Sequence, residues 1–277
     1  MKKCINLWSF PGDFTLEQCL DTAVKAGFPA VEPNFSASGA LSMESPDGEW
    51  LAARAMAQDK GLELSSLSAG VYWSAPPTHD DPAVRAQALN LVRRQLEAAA
   101  LLGVGAVLVV PGAVGAEFAG VNPVRYDVAY ERAMEFVAKA EPHARACGVV
   151  LGVENVWNKF LLSPLEMRAF VGAANSPFVQ AYFDVGNVVL FGYPEQWIDI
   201  LGSRIARVHI KDFKRDVGTL AGFCDLLAGD VNWPVVMAAL RAAGYDGYLT
   251  AEMGGYRHAA DQIVYNTSAA MDRILKL

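Results

Sequence analysis

Residues 204–213 read RIARVHIKDF. A short apolar run, Ile205–Lys211, carries a histidine and a lysine on alternate positions near its C-terminal end. Alternation sends His209 and Lys211 to the same face of a strand. Runs of this kind recur on both sides. VVLGVENVW (149–157) ends on Glu154, QAYFDVGNV (180–188) on Asp184, and YLTAEMGGY (248–256) on Glu252. A strand buried on both faces reads as a near-continuous apolar stretch, so each run predicts a parallel strand whose polar residue sits at its C-terminal end.

Working outward, the same rhythm covers the chain. Strands are predicted at Cys4–Trp8, Ala30–Pro33, Glu63–Ser68, Ala106–Val110, Val149–Glu154, Gln180–Asp184, Ile205–Lys211 and Gly247–Glu252. Helical patterns fall between them, near Thr15–Ala26, Glu49–Lys60, Pro82–Leu102, Tyr126–Cys147, Ser163–Ala174, Pro194–Ile200 and Pro234–Ala243, with a last one near Ala259–Leu275. Asp81-Pro82 and Ser163-Pro164 are helix starts. Gly27, Gly61, Gly103, Gly148 and Gly244 stand where a helix ends in a left-handed residue. Eight strand–helix units predict an α/β fold, a (β/α)8 TIM barrel, as one domain over 1–277. The rival, a doubly wound open sheet, would carry a glycine-rich phosphate turn after its first strand, and LWSFPGDF is not one.

Bulk properties set the function classes. The chain has 277 residues, 53% of them hydrophobic, and a formal net charge of −7; its mean hydropathy is +0.20. A negative chain without a basic block makes a poor phosphate-backbone ligand, which argues against nucleic acid as a partner. No apolar run reaches the ~18–20 residues of a membrane span. The short apolar start running into Pro11-Gly12 reads as a strand rather than a secretory leader, so the expected location is cytoplasmic. Cys4, Cys19, Cys147 and Cys224 lie far apart without a C-x-x-C pair, as in a reduced protein.

The chemistry is expected where the strands end. Glu154, Asp184, His209 and Glu252 close four consecutive strands, about one strand–helix–strand step apart. Burying a carboxylate alone costs several kcal/mol, and a shared cation removes that cost. Three carboxylates and an imidazole make a hard donor set suited to Mn²⁺, with Mg²⁺ or Co²⁺ as alternatives, more than to structural zinc. Lys211 faces the same interior, where it can contact substrate. Glu32, in AVEPNF, ends the second strand at the same mouth, where a hydrogen bond to substrate or a neighbouring loop and a buried structural role are both open. Trp8 and Phe213 are among the aromatics that can stack on the apolar face of a substrate or exclude water. The glycine-bearing stretch Lys211–Trp233 is long for a connection and reads as a mobile lid.

The strings ENV, FDVGN, VHIKD and AEM, over the fifth to eighth strands, resemble the xylose-isomerase-like barrel superfamily, and within it the sugar-phosphate isomerase/epimerase group of ketose and L-ribulose-5-phosphate 3-epimerases. The resemblance implies a divalent-metal-dependent sugar epimerase or isomerase acting through an enediolate. Glu154, Asp184, His209 and Glu252 would hold the ion, and Glu154 and Glu252 would double as the catalytic acid–base pair. It further implies a sugar or sugar-phosphate substrate, substrate contacts from Arg215 and Asn187, and a homodimer or homotetramer. Two positions depart from the free-ketose epimerases: Asn187 stands where they often have histidine, and Phe160 where they have glutamate. Three other readings stay open: a dehydratase or lyase that begins with the same enolisation, a multi-zinc endonuclease, for which four histidines are few, and a binding barrel without catalysis.

Overall fold

A computed structural model describes residues 1–277. Eight strands form one parallel sheet: β1 (Lys2–Asn6), β2 (Ala30–Glu32), β3 (Glu63–Leu64), β4 (Ala106–Val109), β5 (Val150–Glu154), β6 (Val179–Asp184), β7 (Ile205–Ile210) and β8 (Tyr248–Ala251). Hydrogen bonds order them β3-β2-β1-β8-β7-β6-β5-β4. An isolated parallel bridge from Leu67, just past β3, to Val107 of β4 links the two ends of that order. The register places His209 beside Thr250 and Ile5 beside Ala251.

Helices follow the strands: α1 (Leu16–Lys25), α2 (Asp47–Asp59), α3 (Pro82–Leu102), α4 (Tyr126–Cys147), α5 (Pro164–Ala173), α6 (Pro194–Leu201), α7 (Trp233–Ala242) and α8 (Gln262–Ile274). Thr15 and Gln18 form a reciprocal capping box at α1, which satisfies two otherwise orphaned amides. Asp81 caps α3, Pro82 takes its first turn, and Gly103 ends it at φ 75°. None of the helices is long and apolar enough to cross a membrane. The four cysteines are free thiols, and burial pushes Cys4 up to about 12.

The residues pack as two compact units, Met1–Pro33 with Ala52–Ser65 and Phe183–Leu277, and Asn34–Leu51 with Ser66–Tyr182. In the first, β1, β7 and β8 bring apolar residues such as Ile5, Val208 and Leu249 into a fully buried core. In the second, Gln95 of α3 is buried and donates to the carbonyls of Leu67 and Leu108, both at 3.0 Å. Its Oε1 accepts the Tyr72 hydroxyl at 2.6 Å.

Most boundaries shift by a residue or two from expectation, and three differ for a local reason that the structure displays. β1 stops at Asn6 because that side chain accepts the Trp8 amide at 2.7 Å and caps a 3-10 turn over Leu7–Ser9. The expected strand Glu63–Ser68 changes partners partway: Glu63 and Leu64 pair with Ala30 and Val31, whereas Ser68 and Ala69 pair with Asn34 and Phe35. The last helix starts at Gln262 rather than Ala259, whose φ of 51° lies outside the helical range.

Candidate active site

Asp184 is the last residue of β6, His209 lies within β7, and Glu252 follows β8 directly. Asp184 and His209 are fully buried. Asp184 Oδ1 accepts the Asn187 amide at 2.8 Å. The Lys211 ammonium stands 3.2 Å from Asp184 Oδ2 and 3.1 Å from Glu252 Oε2. Gly186 of the FDVGN string permits this approach, since a Cβ there would lie 2.5 Å from Lys211 Cβ.

His209 is held from both ring nitrogens. Nε2 lies 2.6 Å from Glu32 Oε2, and Nδ1 lies 3.2 Å from Glu252 Oε2. Glu32 is itself fully buried and accepts from Asn6 Nδ2 at 2.6 Å. Its carboxylate thus orients the imidazole, the outer-shell arrangement common behind metal-ligating histidines. Of the roles open to it, Glu32 shows the buried structural one, with its carboxylate engaged by His209 and Asn6.

Charge is strained here. Burial raises the Asp184 carboxyl above its ordinary range, against the pull of Lys211 and His209. Burial also disfavours ionised Glu252, but Lys211 and His209 overcome this and hold it at about 2. For His209, burial opposes the charged ring, and the Glu32 and Glu252 carboxylates prevail, keeping its pKa well above the usual value.

Glu154 ends β5 and is buried. Glu154, Asp184, His209 and Glu252 each offer one ligand atom, and these four atoms lie within 4.8 Å of one another. Crowding three carboxylates at that distance is unfavourable without a counter-charge. The donor set is oxygen-rich with one imidazole, and one divalent cation fits it in charge and in ligand type.

Beside Lys211 and Glu252 opens a cavity of about 470 Å³, whose wall also includes Trp8, Phe223, Asp225 and Tyr256. Trp8 thus stands at the cavity wall. Lys211 also stands over the Phe223 ring, 5.6 Å from its centre. Asn187 is buried and reaches Asp184 through its amide. Arg215 is occupied elsewhere: its Nε donates to the Val189 carbonyl at 2.9 Å, its guanidinium stacks over Tyr193, and it does not line the cavity. Phe160 is a core residue, with its ring 5.6 Å from Tyr126 and 5.9 Å from Phe170.

The stretch after β7, read as a mobile lid, is anchored at its base. Asp212, fully buried, accepts from four N–H groups: Phe213 at 2.9 Å and Val231 at 3.2 Å on Oδ1, Leu227 at 2.9 Å and the Trp233 indole at 3.0 Å on Oδ2. A two-residue ladder, Asp212–Phe213 against Phe223–Cys224, folds the segment into a hairpin. Asp225 and Tyr256 were not anticipated. Their placement depends on this hairpin and on the loop after β8, neither of which leaves a periodic signal.

A model of the xylose isomerase-like TIM barrel family matches residues 20–274. The chain belongs to that family. Among solved barrels, a D-tagatose 3-epimerase-like protein superposes with a TM-score of 0.82 at 18% identity, over 100% of this chain and 97% of the other. D-psicose 3-epimerase from Clostridium cellulolyticum H10, solved with D-tagatose, gives 0.80 at 18% identity, over 99% of each chain. By sequence, the L-ribulose-5-phosphate 3-epimerase UlaE of Salmonella paratyphi C is 25% identical over 204 residues, 70% of this chain. The match spans 66% of that relative's length, just under two thirds. The (β/α)8 fold of this barrel is therefore shared with enzymes of known sugar chemistry.

Proposed function

We propose that this barrel is a divalent-metal-dependent 3-epimerase of a ketose. The observation that carries the reading is the convergence of Glu154, Asp184, His209 and Glu252 within 4.8 Å, with Lys211 beside two of them. The names of the similar proteins, several of them sugar 3-epimerases, support the substrate class. The four residues would hold Mn²⁺, or Mg²⁺ or Co²⁺ in its place, and such an ion would acidify a C–H bond next to a sugar carbonyl.

The protein's own groups then carry the protons. Epimerisation at a carbon beside a carbonyl removes a proton from one face and returns one to the other, through an enediolate. Glu154 and Glu252, from β5 and β8, are the two carboxylates that would trade the roles of base and acid. Lys211, poised between Asp184 and Glu252, would donate to the enediolate oxygen as negative charge develops. Glu32 keeps His209 in one orientation through Nε2, leaving Nδ1 toward the cluster. Trp8 and Phe223 shield the reacting carbon from bulk water.

The test is proton exchange at C3 in D₂O, followed by NMR on metal-loaded protein with a panel of ketoses and ketose phosphates. Glu154→Gln and Glu252→Gln should each lower epimerisation by at least about 10²-fold. Each single variant should keep solvent exchange from one epimer only, and the two variants from opposite epimers. Equal loss of exchange from both epimers in both variants would make the glutamates ligands alone and remove the two-base mechanism.

A further inference from the structure

The cavity wall carries a second carboxylate that the proposed proton transfers do not use. Asp225 directly follows the short strand Phe223–Cys224, and Tyr256 stands four residues past Glu252. The Tyr256 hydroxyl donates to Asp225 Oδ2. Asn266 of α8 donates its amide to the same hydroxyl at 3.0 Å. This chain of three side chains ties a loop carboxylate to a helix and fixes it at the wall. Burial and the neighbouring Asp225 push the Tyr256 phenol up, so it remains a neutral donor.

The charged residues of the wall are Asp225, Glu252 and Lys211. Lys211 is paired with Asp184 and Glu252. A cation in the four-residue cluster would offset Glu252, a member of it, but not Asp225, which lies outside it. Lys214, on the same hairpin, is exposed and off the wall, as are the other cations nearby in sequence. Arg215 is turned to Val189 and Tyr193, and Arg257 is exposed and off the wall. Volume does not discriminate, since about 470 Å³ admits a five- or six-carbon sugar with or without a phosphate. Charge does. A phosphate dianion brought to this wall meets the exposed carboxylate that Tyr256 holds in place, whereas a sugar hydroxyl finds an acceptor there, and Trp8 and Phe223 offer apolar surface to its C–H faces.

We infer that the cavity takes an unphosphorylated ketose, and that Asp225 sets this preference by accepting a sugar hydroxyl and repelling a phosphate ester. The sugar class rests on the epimerase reading. The choice between free sugar and phosphate rests on the cavity wall.

Calorimetric titration of Mn²⁺-loaded protein decides it, using two matched pairs: L-ribulose with L-ribulose 5-phosphate, and D-fructose with D-fructose 6-phosphate. In at least one pair the free sugar should bind about tenfold or more tighter than its phosphate. Asp225→Asn should narrow that ratio by about tenfold, chiefly by tightening the phosphate. Tyr256→Phe keeps the carboxylate and should keep the preference, which separates the charge of Asp225 from its part in tying the loops together. Tighter phosphate binding by the unaltered protein, an unchanged ratio in Asp225→Asn, or binding of no probe would each overturn the inference. Proton exchange at C3 is read separately. The expected binding order without exchange would sink the epimerase reading and leave the assignment of the cavity standing.

Discussion

Asp184 and Asp212 are both fully buried and sit 28 residues apart, one ending an apolar strand and the other just past the next. Their surroundings differ in kind. Asp212 receives four N–H groups, three from the backbone and one from an indole. Asp184 accepts the backbone amide of Asn187, and faces the Lys211 ammonium and the other members of the ligand cluster. Donors fixed to the backbone hold a carboxylate permanently and leave little capacity for a ligand. Mobile or exchangeable positive charge leaves a carboxylate that a cation can claim. The comparison shows that burial alone does not separate a structural acid from a functional one, and that the identity of the donors does.

Breaking the structural member should cost most. Asp212→Ala strands the Trp233 indole and three amides, at about 1–3 kcal/mol for each buried donor left unmade. With partial relaxation, a loss of about 3–5 kcal/mol and a drop of roughly 10 °C in melting temperature are expected, read by thermal denaturation. A melting temperature within a degree of the unaltered protein would show that the hairpin stands without this anchor.

Asp184→Asn should act in the opposite direction on stability. Its raised pKa means that the ionised carboxylate opposes folding when no ion is bound. The variant should therefore melt a few degrees higher in chelator, roughly 2–4 °C per kcal/mol relieved. Metal binding, followed by calorimetry, should weaken by about 10²-fold or more, as expected on losing a charged ligand. A variant that melts lower and binds the ion normally would place Asp184 with Asp212.

The smallest effect is in the acid response of metal-free protein. The folded state takes up a proton at Asp184 more readily than the unfolded chain, so lowering the pH from neutral toward that raised pKa adds stability. Glu252 works the other way. Held at about 2 against an ordinary value of 4.5, it stabilises the fold above 4.5 and loses that contribution as the pH falls toward 2. Relative to Asp184→Asn, melts of the unaltered protein in chelator should show a gain in stability as the pH falls from 7.5 to 4.5, the contribution of His209 from its own raised pKa being common to both. Parallel curves for the two proteins would remove Asp184 as the source.

The contrast also marks where the sequence was readable. Asp184, His209 and Glu252 each close an apolar run, and a polar residue ending a buried strand stands out by periodicity alone. The bounds of α3 and α4 follow from local chemistry, Asp81-Pro82 at one start and Gly103 and Gly148 at the two ends. Asp212 was hidden, because three of its four partners lie 15 to 21 residues later and two of those are backbone amides, which any residue provides. The hairpin over Asp212–Phe213 and Phe223–Cys224 was hidden too, since a two-residue strand has no period. Lys211–Trp233 therefore read as a loose lid. Glu32 was legible as a polar strand end, but its partner, His209, is 177 residues away, and only the fold makes them neighbours.

The join between Leu67 and Val107 has a mechanical consequence. Past β3 the chain changes partners within a few residues, and the link to β4 is an isolated bridge with two backbone hydrogen bonds, Leu67 to Ala106 and Leu108 to Leu67. Gln95 works there as a stitch from outside, binding the carbonyls of Leu67 and Leu108 with one amide. A seam stitched by a helix transmits that helix's fraying to the sheet. Loosening α3 would release both carbonyls together, so unzipping under heat or denaturant would begin along this line and leave the strands bearing Asp184, His209 and Glu252 among the last to part.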